Sequence, residues 1–250
     1  HDASNITIKT FHSFAAYFLR QEIGALGFPS SFTIFDEDDQ LKLIKDIGAE
    51  IGLKRTDPVI KKAVSYISKK KTEELLPEDI TIQFETFEGE KTCLEIYGRY
   101  EEAKNNMLAL DFDDLLLRTN YILENYPDIR LKWRNRIDHI LIDEFQDTNQ
   151  KQWDIFRTVF MDSQPAGGEH TLIVVGDPKQ MPPTNFFNVN QVDESEEAID
   201  DLDSVLDDTI ALDFPAKHLR WPYRSRHESL IAFSNHEFYE NRMYTFPSAN

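Results

Sequence analysis

Cys93 is the only cysteine in 250 residues, so no disulfide can form within the chain. No apolar run approaches the roughly 18 residues needed to cross a bilayer. The opening His1-Asp2-Ala3-Ser4 also lacks the charged-then-apolar order of a secretory signal. These absences argue against a disulfide-stapled secreted domain and against a membrane role, and a reducing, cytoplasmic location is expected. Cys93 has no recognisable catalytic companion and reads as a packed thiol rather than a nucleophile. None of the nine glycines precedes a lysine, so a phosphate-cradling G-x-x-x-x-G-K-[ST] loop is absent from these residues. Basic residues are missing over one long stretch. Met181 to Ala216 holds ten acidic residues and no Lys or Arg, and without it the net charge of −18 would be −8.

The composition is that of a globular chain: 40% hydrophobic and 12% aromatic residues exclude disorder, and the length allows one large domain or two small ones. Three apolar, β-branched runs read as buried parallel strands, Ile6 to Lys9, His139 to Asp143 and Thr171 to Val175, each followed by a helical pattern. That is the rhythm of an α/β sheet. Ser13 is placed to cap a helix with Phe14, Tyr17, Phe18 and Ile23 on one side, ended by Gly24 and Gly27-Phe28-Pro29. From Phe35 to Met107 the strand runs give way to amphipathic helices interrupted at Gly48, Gly52, Pro58 and Pro77, the pattern of an inserted helical subdomain. In Leu110 to Leu116 the aspartates suit a helix N-terminus, and capping suffices to explain them. Met161 to His170 reads as a surface loop, and Gln191 to Asp208 as a second loop or a weak helix. Lys54, Arg55, Lys61, Lys62, Lys69, Lys70 and Lys71 form a basic cluster that is either a solvated helix face or a site for a phosphate backbone.

The strongest chemical signal is the apolar run Ile140-Leu141-Ile142 closed by Asp143 and Glu144. Ligands of open α/β sheets bind at the carboxyl ends of strands, so both carboxylates emerge where a nucleotide would lie. Asp143 suits a Mg²⁺ ion, and Glu144 suits a base for the water that attacks a γ-phosphate. The plainer reading is an acidic pair that ends a strand in solvent.

Asp143 to Asn149 reads DEFQDTN and resembles the Walker B segment of the UvrD/Rep branch of superfamily I helicases. Thr10-Phe11-His12-Ser13, Phe35 to Gln40, Leu110 to Leu116 and Gly176-Asp177-Pro178-Lys179-Gln180 resemble further elements of that branch, in its order, so the likeness covers about residues 5 to 180. From Met181-Pro182-Pro183-Thr184 onward the chain resembles Upf-type helicases and bacterial relatives fused to endonuclease-like domains. Leu219 to Ile231 and Phe233 to Tyr239 are similar to their motif IV region, although Pro222 replaces the usual histidine.

The resemblance implies an α/β, RecA-like parallel sheet, an incomplete P-loop NTPase motor domain, with an inserted helical subdomain. Residues 1–30 would begin the first motor domain, 31–107 form the insert, 108–218 complete that domain, and 219–250 carry motif IV. It implies ATP as substrate with Mg²⁺, metal binding by Asp143, and catalytic or ATP-binding roles for Asp143, Glu144, Gln180 and Arg224, the last as an arginine finger. Arg224 has the alternative of an interdomain ion pair. Thr10, His12 and Phe186 are implied to meet DNA, although Phe186 and Phe187 serve equally well as core. Single-stranded DNA or DNA junctions are the implied partners, with other helicase segments or nuclease domains beside them. The chain begins too late in the family's order to include the phosphate loop and is expected to be inactive alone. A non-catalytic helicase-like binding module and, more weakly, a metal-dependent nuclease are the alternatives.

Overall fold

The computed structural model describes residues 6–80, 88–161, 171–177, 180, 205–206, 215–220 and 228–244. They fall into two compact units. One takes in the described residues up to Leu141 and those between Asn149 and Ile173. The other takes in Ile142–Thr148 and the described residues from Val174 onward.

The first unit is mostly helical. Its helices are α1 (Phe11–Glu22), α2 (Glu37–Glu50), α3 (Pro58–Thr72), α4 (Glu88–Asn106), α5 (Phe112–Asn125), α6 (Pro127–Arg134) and α7 (Gln150–Phe160). Each start has a local cause. Asp36 and Asp39 form a capping box on α2, Asp111 and Asp114 one on α5, and Asn149 and Gln152 one on α7. Pro58 opens α3 behind the Asp57 cap. Thr10, not Ser13, caps α1: its hydroxyl accepts the Ser13 amide at 3.2 Å, which leaves Ser13 inside the first turn. Gly27, at φ 70°, ends the short 3₁₀ extension of α1.

Two apolar cores form in this unit. Phe18, Leu19 and Ile23 of the α1 segment pack with Leu115, Leu116, Ile122 and Leu123 of α5, Trp133 of α6 and Ile155 and Val159 of α7. Ile44, Ile47, Ile60, Ala63, Ile67, Ile96, Tyr97 and Tyr100 build a separate core among α2, α3 and α4, where Cys93 is a buried thiol whose pKa burial pushes up. Gly48 does not interrupt α2. It sits inside the helix, and a Cβ there would lie 2.4 Å from Ile60 Cδ1, so glycine permits the close approach of α3. Gly52, at φ 86°, follows the helix end.

Two short sheets are present among the described residues. β1 (Thr33–Ile34) and β2 (Ala109–Leu110) pair in parallel, Thr33 against Ala109 and Ile34 against Leu110, and so hold together the two ends of the α2–α4 stretch. That pair was not legible in the sequence. β3 (His139–Ile142) and β4 (Thr171–Val174) are strands as expected and pair with each other. Amide bonds from Thr171 to Asp138 O and from Val175 to Ile142 O advance the same way along both segments, the parallel pattern. The expected strand at Ile6 to Lys9 does not form. The run has no regular structure and no strand partner among the described residues, with Ile6 68% and Ile8 91% exposed. Alternating apolar residues make a strand only where a neighbour takes up their backbone groups. The second unit contains, besides its share of the β3–β4 ends, a 3₁₀ turn at Phe145–Asp147 and α8 (Glu228–Glu237). No helix among the described residues is long and apolar enough to cross a membrane.

Candidate functional site

β3 ends at Ile142, which is buried. Asp143 is exposed and makes no hydrogen bond or ion pair among the described residues. Glu144 then turns the chain in the left-handed region, φ 53° and ψ 45°. A glutamate there costs on the order of 1 kcal/mol or more and persists only where its surroundings hold it. The surroundings do so: the Phe145 amide bonds Val175 O at 2.8 Å, and the Phe145 ring and the Gln146 side chain are buried on either side of the turn.

Gln146 is the hub of the site. Its Nε2 donates to Glu144 Oε2 at 2.8 Å and, more loosely, to Gln180 Oε1 at 3.5 Å, while its Oε1 accepts the Asp177 amide at 3.0 Å. Gln180 Nε2 donates in turn to Asp177 Oδ2 at 3.1 Å, and the Tyr239 hydroxyl donates to the same oxygen. Gly176 makes this packing feasible, because a Cβ there would stand 3.0 Å from Leu206 Cδ2 and 3.1 Å from the Gln146 amide nitrogen and Oε1. Glu144 and Gln180 are therefore brought together through one buried carboxamide. Gln146, Asp177 and Tyr239 all lay inside recognised motifs, but which neighbour each would meet depends on the fold rather than on spacing.

Thr10 is exposed and already occupied as the α1 cap. His12 is partly buried, packs its ring edge-on against Phe112 at 5.5 Å between centroids, and has its pKa lowered by that burial. A neutral imidazole is favoured, so His12 can donate or accept a hydrogen bond but does not neutralise a phosphate. Arg224 and Phe186 lie outside the described residues, as do Phe187 and the expected loop at 162–170. Of the acidic stretch Met181 to Ala216, Val205 and Leu206, which are helical and buried, and the exposed Pro215 and Ala216 are described. The basic cluster divides: Lys61, Lys62 and Lys69 are exposed, Arg55 pairs with Asp46 at 2.5 Å, and Lys71 is 2% exposed.

Lys71 belongs to a second charged constellation that the sequence did not reveal. Its Nζ lies 2.5 Å from Asp111, 2.9 Å from Asp114 and 2.9 Å from Glu101. The buried Lys104 reaches Glu101 at 2.7 Å and Asp114 at 2.6 Å. Tyr100 donates to Asp111 at 2.9 Å. Glu101, Asp111 and Asp114 stand close enough to share a cation, but two ammonium groups already supply that charge. Burial would raise the Asp111 pKa, yet Lys71 and Lys104 outweigh it and hold the group well below its usual range. Asp113, next along α5, goes the other way. Burial, reinforced by the Asp111 charge, pushes it up to about 6 against the opposing pull of Lys71 and the Ser68 hydroxyl.

A strand-end acidic pair whose glutamate is joined by carboxamides to a Gly-Asp-x-x-Gln segment, in a chain with short parallel sheets and capped helices, agrees with one family. The model of the UvrD/REP helicase N-terminal domain matches residues 1–181, and the chain belongs to that family. Among its relatives, the ATP-dependent DNA helicase Rep of Escherichia coli (strain K12) is 31% identical over 180 residues, covering 72% of this chain and 25% of the relative. The DNA helicase II of Haemophilus influenzae is 35% identical over 182 residues (72% and 24%), and the ATP-dependent DNA helicase PcrA of Staphylococcus epidermidis is 32% identical over 181 residues (72% and 24%). The chain thus spans about a quarter of the length of the relatives it matches.

Proposed function

We propose that these residues belong to an ATP-dependent DNA helicase or translocase and carry the part of its motor that hydrolyses Mg-ATP and reads the state of the γ-phosphate. The observation that carries this reading is the Glu144–Gln146–Gln180 chain of hydrogen bonds beside an unengaged Asp143. Asp143 fits a hard cation, being an exposed carboxylate with neither oxygen used among the described residues. Mg²⁺ held there supplies positive charge to the triphosphate. Glu144, oriented by the Gln146 amide, takes a proton from the attacking water, and Gln180 offers its carboxamide to the γ-phosphate. Arg224 is assigned as the arginine that completes charge stabilisation. Thr10, His12 and Phe186 are assigned to single-stranded DNA, His12 as a neutral hydrogen-bonding group.

A motor domain divided at residues 30/31, 107/108 and 218/219, with 31–107 as its helical insert, is the matching architecture. The separate α2–α4 core and the β1–β2 pair at its two ends support it. For the tail beyond residue 181 the Upf-like assignment rests on sequence alone. The second reading is a helicase-like binding module without turnover. Steady-state ATP hydrolysis and nucleotide affinity, measured for Glu144→Gln in the protein as its complete gene encodes it, test the proposal. Retained binding with turnover lowered by about 10² or more is the expected result. Unchanged hydrolysis removes Glu144 from the chemistry, and no hydrolysis in the unmodified protein leaves the binding module.

A further inference from the structure

The γ-phosphate reader proposed above, Gln180, is exposed, and an exposed carboxamide ordinarily has two orientations that exchange its donor and acceptor ends. Here its surroundings choose one. The amide nitrogen faces Asp177 Oδ2 at 3.1 Å and the oxygen faces the Gln146 amide at 3.5 Å. A carboxylate on one side and an N–H on the other exclude the flipped form. The second amide hydrogen has no acceptor among the described residues, so it is left for an approaching phosphoryl oxygen.

Asp177 discriminates in this way while its carboxylate is held, and the Tyr239 hydroxyl helps to hold it by donating to the oxygen that Gln180 uses. Tyr239 is placed by a built turn. Within α8 the Asn235 side chain, 6% exposed, donates to Met243 O at 3.2 Å and accepts the Met243 amide at 3.0 Å. The Asn241 amide bonds Asn235 O at 2.8 Å, and Glu240 and Asn241 both take positive φ to reverse the chain. Burial and the Asp177 carboxylate push the Tyr239 phenol up to about 12, so it remains a donor throughout the neutral range.

We propose that Tyr239 is a positioning residue for the Gln180 carboxamide, acting through Asp177. The proposal rests on the function proposed above and names a device by which α8 and the turn that follows it set the reader of the phosphate. When the α8 turn is docked, Asp177 is fixed and Gln180 presents its amide. When it leaves, Asp177 Oδ2 loses that donor and its hold on the selected orientation is weakened.

The test uses Tyr239→Phe, which keeps the ring and removes only the hydroxyl, with Asp177→Asn as the second variant, both in the protein as its complete gene encodes it. DNA-stimulated ATP turnover and hydrogen exchange of the amides at 175–177 are read together. Each variant is expected to lower kcat about 10-fold, the size of one hydrogen bond to a charged group, with the KM for ATP within about twofold. Exchange at 175–177 should become faster, and Tyr239→Phe should cost nothing further in a Gln180→Ala background. A general loss of structure would instead add to the Gln180→Ala effect, and that outcome overturns the proposal. Wild-type turnover and exchange in Tyr239→Phe, alongside an inactive Glu144→Gln, overturn it while leaving the function intact. Normal turnover in Glu144→Gln removes the function and this inference with it.

Discussion

Two clusters of carboxylates in this chain are built from nearly the same letters and come to opposite ends. Around Asp111 and Asp114 the protein supplies its own counter-ions, Lys71 and Lys104, and closes the group off from water. At Asp143 and Glu144 the described residues supply none for Asp143, and a neutral carboxamide orients Glu144. Proximity of acids is common to both. What separates structure from candidate chemistry is whether the compensating charge is already inside the protein or must arrive from outside.

The largest effect should come from unbalancing the closed cluster. Lys71→Met leaves three carboxylates facing Lys104 alone, and breaking a buried ionic group of this kind costs about 3–5 kcal/mol. Urea denaturation of the chain should show this as a much lower midpoint. Asp143→Asn should stay within about 0.5 kcal/mol, since an exposed carboxylate without a partner among the described residues contributes little to stability. Equal costs for the two would erase the distinction. Next in size, Glu144→Gln should remove about 3 kcal/mol of transition-state stabilisation, the equivalent of the 10² loss in turnover, with folding unchanged.

A smaller effect follows from Asp113, whose folded pKa of about 6 lies above the ordinary carboxylate value. The folded state then holds its proton more tightly than the unfolded chain, so stability falls as pH rises from about 4 to about 6. Asp113→Asn should accordingly stabilise the protein at pH 7, on the order of 1 kcal/mol, and be near neutral at pH 4. Thermal unfolding at both pH values checks this, and an equal shift at both would show that the carboxyl does not titrate as placed. Asp111 works in the opposite sense. Its depressed pKa gives stability at neutral pH that is lost in strong acid.

The smallest effect concerns the acidic stretch. Val205 and Leu206 are buried, and Leu206 stands against Gly176, so cutting out Gln191 to Asp208 would damage packing as well as remove charge. Replacing Asp193, Glu194, Glu196, Glu197, Asp200, Asp201 and Asp203 by amides is the cleaner change. Single-strand affinity should stay the same or rise modestly at low salt, where repulsion is least screened. A clear fall in affinity would make those residues part of the binding surface.

Local features were legible in the sequence because their causes are local. The helix start at the aspartates of Leu110 to Leu116, the stop at Gly27 and the strands β3 and β4 follow from a few adjacent residues. Long-range partners were not. Nothing in the basic run distinguishes Lys71 from Lys70, and only packing sends one into a buried cluster and leaves the other beside Glu73. Gly48 looked like a breaker because its reason for being glycine, Ile60, lies on another helix. The Ile6 to Lys9 run shows the reverse error, since alternation describes a strand's faces but not its neighbour. In the candidate site, Asp143, Glu144 and Gln180 were marked by motif. Gln146 acquired its role only when the turn brought Gly176 and Asp177 against it.

The left-handed backbone at Glu144 gives that position an unusual mutational economy. At most sites of a folded chain the resident side chain and the stability of the fold favour each other, so random change is resisted twice. Here a glycine would relieve the backbone and remove the carboxylate in one step. A lineage selected only for folding would therefore drift downhill away from glutamate, and only a demand on what the carboxylate does would hold it in place.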